Sequence, residues 1–597
     1  MRLGRFGAAT VLLFAALSSL SVAQPVYIRV NQLGYLPDEQ KVAVAFCERP
    51  RKTLHFEIVD ATTHTRVWGP APAGRELGSY GRFRWHVALV FSGFRKPGRY
   101  QLRVVETGDL SLPFRVGTNV YAEAPGALLG FLRQQRCGYN PFLDEVCHSK
   151  DGRTVDGPVP DGTYLDVSGG WHDAADYLRY LLTSSNVVAR LLLAYRLAPS
   201  VSGDSVDALG HPFPNGVPDV LDEARWGLEW MLKMHPAPDQ LYHQVADDRD
   251  HSGWDLPYED TSDYGWGPGS YRVVYYATGK PQGLGKYKSS STGVANLAGR
   301  YAAAMAMAAD AFAELDPLFA QRCLRAGEEV FRLGLEKPGC QEGTPHNAPY
   351  RYHESTWADD MEWGAAELFR VTDDSTYLQQ AVRFARRIAA TSWMGRDSVR
   401  HYEFYPFFNA GHFALFDFAN PVFRDTLAGY YRQGIEACLR RAQGNPYGVG
   451  IPFVWCSNNL AAALVNQIVL YEKMTGDRRY HRLLQAHRDW LLGRNPWGVS
   501  QFVALPASGV TPLHPHSVIA AETGRTIVGG LVDGPVYASI FRSLKGIHLS
   551  GLDPLAAFQS DWIVYHDDLW DYSTNEPTLD GTAEALVFMM ELASSMR

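Results

Sequence analysis

Cysteine is scarce. The 597-residue chain holds seven: Cys47, Cys137, Cys147, Cys323, Cys340, Cys438 and Cys456. That is too few for a disulfide-stapled scaffold, and the odd count leaves at least one thiol unpaired or metal-bound. A basic tract is missing too. The net charge is −8, from 56 Lys and Arg against 64 Asp and Glu, which argues against nucleic acid and anionic membranes as partners. Long apolar runs are absent beyond the N-terminus. There, Arg2 and Arg5 precede an apolar stretch from Ala8 to Leu17, and Ser21-Val22-Ala23 gives a small-residue cleavage site. This grammar predicts a signal peptide over 1–23 and an exported protein, secreted or periplasmic, with no membrane span.

Aromatic residues, by contrast, are abundant: 15 Trp, 31 Tyr and 28 Phe. Sugars stack their C–H faces on such rings, so an exported chain of this composition suggests carbohydrate, although large cores use aromatics as well. Residues 24–118 alternate with period two in KVAVAF, LHFEIVD, FRWHVALVF and RYQLRVVE, between Pro, Gly and Asp turns. That pattern predicts a small all-β sandwich. From 119 to 597 the strong segments are helical, as in GRYAAAMAMAADAFAEL and NNLAAALVNQIVLYEKM, and the fold class is mainly α. A closed barrel of helix pairs is the natural way to bury one core in so long a helical region. Long loops at Asp247–Gly285 and Arg494–Asp533 are expected to be functional.

Three stretches carry chemistry. SGGWHDAADY puts Asp173 and Asp176 three residues apart, which would share a face of a helix. YHDDLWDYSTNEPTLDGTA holds Asp567, Asp568, Asp571 and Glu576, and RNPWGVSQF with PLHPHS brings Asn495, Trp497, His514 and His516. A solvated turn is the plain alternative for the first, and a helix-capping glutamate for Glu576. Acids in two distant segments of an aromatic-rich exported chain point to glycoside hydrolysis, in which one carboxyl protonates the leaving oxygen and another activates water.

The chain resembles glycoside hydrolase family 9, the cellulase family whose members often carry an immunoglobulin-like domain before an (α/α)6 barrel. VNQLGYLPDEQKVAV, DVSGGWHDAADYLRY, NGVPDVLDEARWGLEWMLKM, WCSNN, LLGRNPWG and DYSTNEPTLD match its landmarks in order. The resemblance implies Asp176 as general base, Asp173 as its partner in holding water and Glu576 as general acid. A base acting through water sets the carboxyls about 6.5–9.5 Å apart and inverts the anomeric carbon. Pro577, read as a first helical residue, would lower the Glu576 pKa through the helix N-terminus, so burial and Asp176 or Asp571 would have to raise it.

The resemblance also implies a structural zinc held by Cys137, Cys147, His148 and His172, a closed set of two thiolates and two imidazoles. A Cys137–Cys147 disulfide with two ordinary histidines is the alternative. Trp455, His516 and Tyr572 are implied as sugar-binding residues, with Trp254, Trp266, Tyr271 and Trp357 as weaker stacking candidates. Calcium is common in the family, and the Ala246–Asp255 loop could supply oxygens to it, with no ligand assigned. Two departures stand out: Ala175 where Gly is common, and His516-Ser517-Val518 where cellulases of the family read His-His-Arg. The expected protein is a monomeric endo-β-1,4-glucanase acting on β-glucan. An exo-acting relative releasing glucose or glucosamine is the runner-up, and an inactive carbohydrate-binding protein the distant third.

Overall fold

The computed structural model describes residues 24–388, 392–396, 398–545 and 547–594. The signal peptide expected over 1–23 lies outside them. No helix among the described residues is long and apolar enough to cross a membrane.

The N-terminal sandwich has strands β1 (Tyr27–Arg29), β2 (Val42–Cys47), β3 (His55–Asp60), β4 (Arg66–Pro72), β5 (Glu76–Tyr80), β6 (Phe83–Val90), β7 (Gly98–Val104) and β8 (Phe114–Val116). They form two antiparallel four-stranded sheets, ordered β1-β2-β6-β5 and β4-β3-β7-β8. The alternation read in VAVAFC has a specific consequence. Ala43, Ala45 and Cys47 point into the sandwich core, whereas Val44 and Phe46 join the core of the helical domain. Both faces of the first sheet are therefore buried, and the two domains share apolar contact.

Six inner helices form a closed ring: α2 (Leu181–Leu197), α4 (Ala295–Ala311), α6 (Ala358–Thr372), α8 (Ala410–Phe416), α10 (Ser457–Thr475) and α14 (Leu579–Ser594), which packs back on α2. Around them lie α1 (Ala124–Gln134), α3 (Asp219–Lys233), α5 (Pro317–Glu336), α7 (Ser375–Ile388), α9 (Pro421–Ala442) and α11 (His481–Leu491). This is the (α/α)6 barrel, with short α12 (Val518–Thr523) and α13 (Ala538–Ser543) in the loops before α14. Sequence separates the two rings. Inner α4 is buried from Ala295 to Ala309 because small residues let helices approach; a Cβ on Gly299 would lie 2.2 Å from the α6 backbone. Outer α5 buries only a stripe, Phe319, Cys323, Ala326, Val330 and Leu333, and starts at the Asp316 side chain, which accepts the Phe319 N–H at 3.1 Å.

Periodicity missed a small sheet beside the cleft. It comprises β11 (Arg153–Val155), β14 (Val273–Tyr276), β13 (Tyr242–Val245) and β12 (Arg179–Tyr180), preceded by the hairpin β9 (Gly138–Asn140)–β10 (Glu145–Cys147). Strands of two to four residues are too short to display a period.

The VNQLGY stretch faces the barrel. Asn31 Nδ2 donates to Asp489 at 2.9 Å, Gln32 Nε2 to Gly498 O at 2.9 Å, and Arg488 meets Glu39 at 2.6 Å with both side chains buried. Glu39→Ala leaves the Arg488 guanidinium with Asp489 as its remaining acid partner. The expected cost is about 3 kcal/mol in chemical denaturation, and an unchanged midpoint would remove this pair from the interface account.

Candidate active site

SGGWHDAADY is not helical; residues 172–178 run as a bent loop. Gly169 and Gly170 take φ of 101° and 73°, left-handed backbone that side chains resist, and a Cβ on Gly170 would lie 2.8 Å from the Trp230 ring. The turn drops Trp171 into the core, where its indole donates to Glu223 at 2.7 Å. Asp173 N–H then donates to Leu178 O at 3.0 Å, so the loop folds back on itself. The two aspartates are thus brought together by a loop closure rather than by helical spacing.

Their surroundings differ. Asp173 is buried and accepts from the hydroxyls of Thr183 and Tyr352. Burial, followed by the charges of Asp176 and Asp580, holds its pKa well above the usual carboxylate range. Asp176 lines the cleft: one oxygen accepts the Leu178 N–H at 3.0 Å, and the other is 3.4 Å from His251 Nε2. Burial lowers the His251 pKa, but contact with Asp176 and the charges of Asp176 and Asp250 outweigh it and raise the group to about 9.

Glu576 Oε1 accepts the Ala175 N–H at 3.0 Å, so the C-terminal carboxyl touches the loop between the two aspartates. Pro577 is not a first helical residue. It bridges Val532 in an isolated antiparallel pair, and α14 begins only at Leu579, which moves Glu576 away from the helix dipole. Burial, then Asp533, then Asp176 raise the Glu576 pKa well above its ordinary value. Asp571 does not supply that charge. It is fully buried and accepts from His566, Ser573 and Thr574.

These groups share a cleft of about 1030 Å³, into which Asp176, Glu576, Trp455, His516 and Tyr572 all face. Aromatic rings make its walls. Trp455 lies 5.5 Å from Tyr572 and is stacked 5.4 Å from His401, while Trp254 lies 5.2 Å from His516 and 5.1 Å from Trp570. Of the weaker stacking candidates only Trp254 lines this cleft. Trp266 and Tyr271 flank Arg153, and Trp357 packs on Phe384. Trp497 and Asn495 serve the fold instead: the Trp497 indole donates to Gln559, and Asn495 bonds the Trp490 and Val499 carbonyls. Sequence reading missed Tyr350, Tyr352, His401, Tyr402, Trp570 and Asp533 in the cleft wall. The aromatic density of PYRYHE and RHYEFYPFF, between helices, was the available signal.

Cys137, Cys147, His148 and His172 offer ligand atoms within 4.8 Å of one another. The thiols are unbonded, with sulfurs 3.9 Å apart, against about 2.05 Å in a disulfide. Cys137 Sγ is 3.5 Å from His148 Nδ1, and Cys147 Sγ is 3.8 Å from His172 Nε2. A tetrahedral ion with legs of about 2.0–2.3 Å has edges near these values. His148 Nε2 is 3.2 Å from Asp260, the outer carboxylate such a ligand takes. The cluster sits where the β9–β10 segment is tied to the aspartate loop, through Cys137 N–H to Gly170 O at 2.9 Å and His172 N–H to Gln135 O at 2.8 Å. In the Ala246–Asp255 loop, Asp247 is engaged by Arg249 and Tyr275, and Asp250 by Arg272 and the Tyr177 N–H.

The model for glycosyl hydrolase family 9 matches residues 121–589, and that for the cellulase N-terminal ig-like domain matches 23–109. The chain belongs to glycosyl hydrolase family 9. It is a cellulase-type glycoside hydrolase that cleaves β-1,4-glucosidic bonds with inversion. A xyloglucan-specific endo-beta-1,4-glucanase of Bacteroides ovatus is 26% identical over 627 residues, covering 99% of this chain and 97% of that protein. Endoglucanase D of Acetivibrio thermocellus is 23% identical, covering 94% and 82%. Among solved structures, a metagenome-derived family 9 endoglucanase superposes with a TM-score of 0.76 at 28% identity, covering 95% of this chain and 99% of the other. A zinc-binding triple mutant of another family 9 endoglucanase gives 0.74 at 25% identity, covering 94% and 99%.

Proposed function

We propose that this enzyme is an exported, monomeric endoglucanase in which Glu576 protonates the leaving glycosidic oxygen and Asp176 takes a proton from water attacking the anomeric carbon. Asp173, tied down by Thr183 and Tyr352, fixes the loop and helps orient that water. Trp455, His516 and Tyr572 hold sugar rings along the cleft. The observation that carries this reading is the Ala175–Glu576 hydrogen bond, which joins the acid to the aspartate loop in one cleft. Its similarity to a xyloglucan-specific endo-beta-1,4-glucanase and to endoglucanase D supports β-glucan chains, cellulose or xyloglucan, as substrates.

Cys137, Cys147, His148 and His172 would hold zinc. With four protein ligands the ion has no open position, so it would brace the catalytic loop and take no part in hydrolysis. Val518 lines the cleft where an arginine is common in the family, which favours an aglycone side recognised by shape rather than by a guanidinium fork.

An exo-acting reading has one observation in its favour: Asp250, His251, Gly253, Trp254 and Asp255 line the cleft, and the Trp254 ring meets Trp570 there. Viscosity measured against reducing ends on carboxymethylcellulose separates the two. The endo reading predicts that viscosity falls well ahead of sugar release; steady release with slow viscosity loss overturns it.

A further inference from the structure

Asp533 stands between Val532 and Gly534 in a run that reads as a turn, yet it is fully buried in the cleft wall. Backbone ties fix it there. Val532 bridges Pro577, the Asp533 N–H donates to Glu576 O at 2.9 Å, and the Gly534 N–H donates to Thr574 O at 3.0 Å. This antiparallel clamp sets Asp533 beside Glu576. Its Oδ2 accepts the Trp455 indole N–H at 2.7 Å, and its Oδ1 accepts from the Cys456 thiol at 3.0 Å. Asp533 is therefore tied to the segment of the acid through its backbone and to a cleft ring through its carboxylate.

We propose that Asp533 is a positioning residue for hydrolysis, a second buried carboxyl that keeps the transferable proton on Glu576 and keys the Trp455 ring to the same wall. The inference rests on the reading of Glu576 as the acid. Two adjacent carboxyls in a dry wall titrate as a unit, because the second proton leaves against the charge of the first. Donor count decides which ionises first. Asp533 has two side-chain donors, and Glu576 has one, from Ala175. Glu576 then releases its proton only against that charge, and Asp533 is the largest influence raising it after burial. On Glu576 the further charges that raise it are Asp176 and Asp173 on the loop. Burial raises Asp533 as well, with Asp580 on α14 and Asp571 in the C-terminal loop adding to it, and the Cys456 and Trp455 donors work against that rise.

Asp533→Asn removes the charge and retains an oxygen for the Trp455 indole. The expected result is an alkaline limb of kcat/KM on β-glucan displaced to lower pH by about one unit or more, with KM at acid pH unchanged. A purely structural role would alter kcat, KM or stability without moving the limb. Asp533→Glu, which restores a carboxylate, should return the limb towards the parent. If the Asn variant does not fold, Asp533→Ser carries the same test. An unmoved limb in a folded variant overturns the proposal. Glu576→Gln measured in parallel separates the two readings. If it turns over β-glucan like the parent, the acid assignment falls and this inference with it; if it is inactive while the Asn limb is unmoved, only the role of Asp533 falls.

Discussion

Glu576→Gln should lower kcat on β-glucan by about 1000-fold, while hydrolysis of a dinitrophenyl cellobioside, whose leaving group needs no proton, is largely kept. The amide fills the same space and still accepts the Ala175 N–H, so the loss isolates proton donation from packing. The pH dependence has a definite sign. An acid catalyst works only when protonated, and burial together with Asp533 and Asp176 raises the Glu576 pKa. Activity on β-glucan should therefore persist above the ordinary glutamate range and be lost as pH rises through that raised value. The dinitrophenyl substrate should lack this alkaline limb. Equal loss on both substrates would make Glu576 a structural residue rather than the acid.

Removal of the metal should have the second largest effect. The purified enzyme should contain one zinc per chain by elemental analysis, and Cys147→Ser should lose it. The cluster ties β9–β10 to the loop that presents Asp176, through Cys137, Gly170, Gln135 and His172. Without it, kcat should fall by about 10- to 100-fold, and the thermal midpoint should fall with it, since binding to a folded site stabilises that fold. Zinc restored to the chelated parent should recover both. Metal-free protein with full activity would leave the four residues as a packing cluster only.

The sequence made the local parts of this site readable. Asp173, Asp176 and Glu576 are legible through motifs that resemble the family, as are Trp455, His516 and Tyr572, and all of them but Asp173 face one cleft. Residues that act through distant contacts were hidden. Tyr352 reaches Asp173 across 179 positions, and Asp533 reaches Trp455 across 78. No periodicity or spacing encodes such a meeting. The helical spacing expected of Asp173 and Asp176 also failed, because two left-handed glycines and a backbone return to Leu178 override any helical tendency there. The barrel was legible for a simpler reason. Its helices show in apolar spacing, as in GRYAAAMAMAADA, and their closure into a barrel follows from the family resemblance; the structure adds which are inner, α4 being buried all round while α5 buries a stripe.

The most direct test of the central claim, that Glu576 and the aspartate loop act on opposite faces of a sugar through one water, is proton NMR of the first product released from a cello-oligosaccharide. The geometry proposed here predicts the α-anomer, with the β-anomer growing in only by later mutarotation. A β-anomer appearing first would mean a covalent intermediate and a retained centre, and would contradict the assignment of Asp176 as a base.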